Sequence, residues 1–116
     1  MTRCVMIRDA KGLWTGFRVE GHAGYAEEGS DIVCAALSIL TTTCVNALET
    51  VAKVSPHVEG GEDGLLAALL PIGLTDGQSH DAQVLLGALH QGLSDLAACY
   101  PRFVKLSIQE RREISC

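Results

Sequence analysis

The period of the apolar residues changes along this chain, and those changes restrict its fold more than any single residue does. Val33, Leu37, Leu40, Cys44, Leu48 and Val51 recur at steps of three and four, the stripe of an amphipathic helix. Ser30 or Asp31 caps its start, and Pro56 closes the segment. A second stripe, Ala82, Leu85, Leu86, Leu89, Leu93, Leu96 and Ala97, predicts a helix over Asp81–Cys99 that Pro101 stops.

Short alternating segments frame both helices. RCVMIR (residues 3–8) reads as a strand with Val5 and Ile7 on one face, and DAKG (residues 9–12) reads as a turn. LWTGFRVEG (residues 13–21) follows with Leu13, Phe17 and Val19 alternating. HVEGGEDGLLAALLP (residues 57–71) gives a second hairpin whose turn is Gly60–Gly64. LLAALL has helical propensity, but its length between Gly64 and Pro71 favours a strand. RFVKLSIQ (residues 102–109) closes the pattern with Val104, Leu106 and Ile108 on one face.

The order strand-strand-helix-strand-strand-helix-strand predicts an α+β, two-layer sandwich: a mostly antiparallel sheet with both helices on one face. At 116 residues the expectation is one domain spanning 1–116, large enough for a core without covalent staples. One helix layer leaves a sheet or helix face as a candidate oligomer interface, and Trp14, read on the hairpin's outer face, points the same way.

Composition narrows the function. The net charge is −5, with two Phe, two Tyr and one Trp, which argues against direct nucleic-acid binding. Uninterrupted apolar runs stay at a few residues, far below the ~20 of a membrane span. Arg3, Arg8, Asp9 and Lys11 near the start are unlike a secretory leader. The expected location is therefore cytoplasmic, without membrane contact. The five cysteines are odd in number and form no Cys-x-x-Cys, which fits free thiols rather than a disulfide framework or a structural zinc site. No metal and no cofactor are expected.

The chemistry concentrates in GHAGYAEEGSDIVCAALS, residues 21–38. Cys34 falls in the opening of the first helix, where unpaired N–H groups and the dipole favour a thiolate. His22 ends the preceding strand, so the two meet if the intervening loop folds back. Cys34 thus reads either as a packed cysteine or as a nucleophile with His22 as its base. Asp31 reads as a helix cap or as the residue that orients His22. Ser38, one turn beyond Cys34 on the same face, reads as a solvated serine or as a group beside the site. Cys44 and Cys99 read as structural.

The GHA at residues 21–23 and GSDIVCAALS at residues 29–38 resemble the signature of the ribosomal-processing cysteine protease (Prp) family. The similarity extends in pattern over the whole chain; Ser30 stands where many relatives carry an acid. The resemblance implies that Cys34 is the nucleophile and His22 the general base, with Asp31 and Ser38 auxiliary. It also implies a loop hinged at Gly24 and Gly29 that closes over substrate, and a homodimer. The substrate it implies is the N-terminal extension of large-subunit ribosomal protein 27, cut after paired aromatic residues. Ribosomal proteins are basic, in keeping with the acidic charge here. The competing readings are a non-catalytic ribosome-associated binding or assembly factor, and a thiol redox sensor built on Cys34.

Overall fold

The computed structural model describes residues 1–21, 30–60 and 65–111; the side chains of Ser30 and Asp31 also lie outside that description. The elements are β1 (Thr2–Arg8), β2 (Trp14–Glu20), α1 (Ser30–Thr50), β3 (His57–Gly60), β4 (Leu65–Leu69), α2 (Asp76–Cys99) and β5 (Val104–Glu110). This is the predicted order. Beyond Gly60, the turn read at Gly60–Gly64 lies outside the described residues.

The strands form one five-stranded sheet in the order β3-β4-β2-β1-β5. Every neighbouring pair is antiparallel except β1–β5, which is parallel. Two crossovers explain this arrangement. α1 links β2 to β3 past β4, and α2 links β4 to β5 past β2 and β1. The two crossovers run in opposite lateral directions between oppositely directed strands. A right-handed path for both therefore puts both helices on the same face.

Register identifies that face. Met6 pairs with Phe17, and Phe17 with Ala68; Cys4 pairs with Val19 and Leu106; Thr2 pairs with Val104. Thr2, Cys4, Met6, Phe17, Val19, Ala68 and Val104 are buried there, beneath Val33, Leu37, Cys44 and Leu48 of α1 and Ala82, Leu86, Leu89 and Leu93 of α2. Val5 and Ile7 do share a face, but it is the open one; Cys4 and Met6 enter the core. By length and composition Ile32–Thr50 passes for a membrane span, with a mean hydropathy of 1.6. In this fold its buried stripe packs on the sheet.

Two readings need correction. Trp14 does not lie on the hairpin's outer face. A bulge opposite Ile7 and Arg8 interrupts the register, so that Gly16 pairs with Ile7 but Trp14 pairs with Arg8. The extra residue, Thr15, reverses the alternation and turns the Trp14 ring towards α2, where its centroid lies 4.9 Å from that of His90. Secondly, α2 begins at Asp76, five residues ahead of the start read from periodicity. Thr75 forms a reciprocal capping box with Gln78: the Thr75 hydroxyl accepts from the Gln78 N–H at 3.1 Å, and Gln78 Oε1 accepts from the Thr75 N–H at 3.0 Å. The Gln78 amide also donates to the Lys53 carbonyl at 2.8 Å, tying α2 to the chain leaving α1.

Candidate active site

A helix wall and three strand ends enclose a cleft of about 270 Å³. Along α1 it is lined by Cys34, Leu37, Ser38, Thr41 and Thr42, positions i, i+3, i+4, i+7 and i+8 of one helical stripe. Facing them are Thr2 at the start of β1, Val19 and Gly21 at the end of β2, and Leu65 and Leu66 at the start of β4. None of these lining residues carries a charged side chain.

Cys34 is the fifth residue of α1, because the helix begins at Ser30. It stands just past the opening turn, at the positive end of the helix dipole, and is half-buried. Ser38 is exposed on the same wall. Thr41 is buried, and its hydroxyl donates to the Leu37 carbonyl at 2.8 Å.

Gly21 forms the cleft rim where β2 ends. Its φ of +102° is a left-handed conformation, and a Cβ there would stand 2.7 Å from the Met1 carbonyl oxygen. Only glycine satisfies both conditions. His22, Gly24 and Gly29 lie outside the described residues, as does the Asp31 side chain. Of the residues read from sequence, the structure thus brings Cys34 and Ser38 to one cleft.

The cysteines are not equivalent. Burial pushes the Cys4 and Cys44 thiols up to about 11, so both stay protonated and poorly nucleophilic near neutral pH. Cys99 is exposed near the end of α2 and does not line the cleft. Among the described cysteines, only Cys34 combines access with a cavity able to hold a ligand. No group of three His, Cys, Asp or Glu side chains able to hold a metal occurs among the described residues.

The family model for cysteine protease Prp matches residues 1–105. The chain belongs to the Prp family of cysteine proteases. The ribosomal processing cysteine protease Prp of Bacillus subtilis (strain 168) is 42% identical over 54 residues, or 47% of either chain. That match therefore spans about half the length of this curated relative. The crystal structure of SMU.848 from Streptococcus mutans is 35% identical, covers 96% of both chains and superposes with a TM-score of 0.79. The Staphylococcus aureus ribosomal processing protease Prp in complex with a substrate peptide has a TM-score of 0.81 at 23% identity, covering 94% of this chain and 100% of that one. At that identity the likeness establishes the fold that Prp proteins share.

In the sequence, this cleft is legible through α1 alone. Continuing the stripe from Cys34 by seven and eight residues finds Thr41 and Thr42. Thr2, Val19 and Leu66 carry no local signal, since they meet only through sheet register.

Proposed function

We propose that this chain is a cysteine endopeptidase whose nucleophile is Cys34 and whose general base is His22. The observation that carries the reading is the Cys34 thiol just past the opening turn of α1, on a cleft of about 270 Å³ whose described lining residues carry no charged side chain. His22 takes the thiol proton, and the Cys34 sulfur attacks the scissile carbonyl to form a tetrahedral adduct. Amides at the start of α1 stabilise the oxyanion. The protonated imidazole then gives its proton to the leaving amine, and water hydrolyses the thioester to regenerate the thiol. Asp31 orients His22, Ser38 borders the reacting group, and the loop hinged at Gly24 and Gly29 closes over the bound peptide.

The substrate in this proposal is the N-terminal extension of large-subunit ribosomal protein 27, cut after two adjacent aromatic residues, with the enzyme acting as a cytoplasmic homodimer. The cleft volume supports the aromatic preference: a cavity of about 150 Å³ accepts one benzene ring, and 270 Å³ has room for nearly two. The walls of Val19, Leu37, Leu65 and Leu66 offer apolar contact. A non-catalytic ribosome-associated factor draws support from an exposed Trp14, and the packing of Trp14 against His90 removes that support.

The test is cleavage of a peptide carrying the paired-aromatic junction. The wild-type protein is expected to cut it after the second aromatic residue, and Cys34→Ser and His22→Ala to lose at least about a thousandfold in kcat/KM. Normal cleavage by Cys34→Ser overturns the proposal.

A further inference from the structure

The fold sorts the charges that composition averages into a net −5. Neither helix carries a Lys or Arg, whereas α1 holds Glu49 and α2 holds Asp76, Asp81 and Asp95. Apart from Lys53, every described Lys and Arg belongs to β1, β2, β5 or the residues flanking them. On the open face of those strands the register gathers Arg3, Arg18 and Lys105. Arg3 lies opposite Lys105 across the parallel β1–β5 ladder. Arg18 lies opposite Val5 on the next strand, two residues along from Arg3. At the spacings of a sheet, the Arg3 Cα stands about 5 Å from that of Lys105 and about 8 Å from that of Arg18.

These cations lack internal compensation. Like charges directly opposite each other in a ladder repel, yet Arg3 and Lys105 make no ion pair among the described residues. Glu20, the acid opposite Arg3, is instead 3.9 Å from Arg18 Nε, too far for a hydrogen bond. That Nε is buried and has no hydrogen-bond partner. The Arg18 side chain as a whole is 40% exposed, so its stem is pinned to the sheet while the outer guanidinium nitrogens face solvent. Such a planar fork of N–H donors suits phosphate oxygens. No described aromatic ring lies on this face, since Phe17 is in the core and Trp14, Tyr100 and Phe103 pack against it.

We propose that the open face of β2, β1 and β5 docks RNA, with Arg3, Arg18 and Lys105 on backbone phosphates. The partner is anionic because these cations have too few carboxylates of their own. It is a chain of phosphates rather than one ion because they are spread over three strands. It is not a membrane: the apolar Val5 and Ile7 on this face are half-buried among their neighbours and offer nothing to insert. Choosing RNA among polyanions rests on the proposed ribosomal substrate, since a ribosomal protein sits on RNA. With no ring to stack on bases, binding is to the backbone and independent of sequence. The cleft lies on the helix side of the same sheet, so docked RNA leaves Cys34 open to a peptide.

The experiment is fluorescence polarisation of a labelled single-stranded RNA titrated with the full chain at about 50 and about 200 mM salt. Three phosphate contacts predict an affinity loss of about twentyfold between the two. Arg18→Gln combined with Lys105→Gln is expected to weaken binding at least about tenfold at the lower salt and to flatten its salt dependence, for two unrelated RNA sequences alike. Arg18→Lys combined with Lys105→Arg keeps both charges and is expected to stay within about threefold of wild type, which separates lost charge from a disturbed sheet. Lys53→Gln removes a cation elsewhere and is expected to leave binding unchanged. No binding by wild type, equal weakening by Lys53→Gln, or preference for phosphatidylserine vesicles at the same phosphate concentration overturns the proposal. Cleavage plays no part in this readout. A protein that binds RNA but cuts no peptide overturns the protease reading alone, and one that cuts peptides but ignores RNA overturns the docking surface alone.

Discussion

Gln83 of α2 closes both backbone hydrogen-bonding groups of Trp14: its Oε1 accepts from the Trp14 N–H at 2.8 Å, and its Nε2 donates to the Trp14 carbonyl at 2.7 Å. The two residues meet where the bulge interrupts the β1–β2 register, so the helix supplies partners at the irregular end of the hairpin. Removing the amide orphans two partly buried groups. Gln83→Leu is expected to destabilise the fold by about 2–4 kcal/mol. Urea denaturation measures this, and Trp14, the chain's single tryptophan, reports local loosening through its emission. An unchanged midpoint contradicts the role given to Gln83.

Gly16 makes a second, sharper prediction. A Cβ at this position would stand 2.2 Å from the Ala68 carbonyl oxygen and 2.8 Å from Leu69 Cδ2. The first contact is with backbone in a central strand pair, which cannot yield without breaking the β2–β4 ladder. Gly16→Ala is expected to cost more than about 3 kcal/mol and to accumulate in the insoluble fraction. Gly92→Ala is the control. The atoms nearest its Cβ would be those of the Leu40 side chain, at 3.0 Å, which can rotate aside. Soluble Gly16→Ala with a wild-type melting temperature refutes the argument.

These two positions also separate what the sequence discloses from what it conceals. Helix stripes such as Val33-Leu37-Cys44-Leu48 and alternations such as Phe17-Val19 are local, and the fold buries those same residues. The bulge at Thr15 is not local. It depends on which β1 residue lies opposite, so simple alternation put Trp14 on the wrong face. The capping box at Thr75 is written as T-x-x-Q, but the apolar stripe begins only at Ala82, so periodicity starts α2 late. The same division runs through the candidate site. Cys34 and Ser38 are one helical turn apart and legible as such, while Thr2, Val19 and Leu66 reach them only through a three-strand register.

Burial of Cys4 and Cys44 gives the protein a defined alkaline weakness. Both thiols are raised from 9.0 to about 11. Between those values the unfolded chain has lost protons that the folded chain retains. Their contribution to stability is therefore complete below pH 9 and is lost as the pH rises towards 11. Each thiol steepens the decline by up to roughly 1.4 kcal/mol per pH unit. Denaturant titrations with reductant at successive pH values from 8.5 to 10.5 measure that slope. Cys44→Ala is expected to make it shallower by about one thiol's share, whatever its cost at neutral pH. Equal slopes in both proteins show that the buried thiol ionises as easily as a free one.

The far end of the cleft offers a test that leaves the nucleophile in place. Thr42 lines the cleft two helical turns beyond Cys34, yet is itself exposed. Thr42→Trp adds bulk there without entering the core, and its effect on stability is expected to stay within about 0.5 kcal/mol. If peptides lie along this wall, the variant loses at least about tenfold in kcat/KM for the paired-aromatic peptide, chiefly through KM, since ground-state and transition-state binding fall together. Alkylation of Cys34 by iodoacetamide, a reagent too small to need the far end, is expected to stay within about twofold of wild type. A matching loss of alkylation would mean that the substitution disturbs Cys34 itself. Unchanged cleavage would confine recognition to the part of the cleft bounded by Cys34, Leu37 and Leu66.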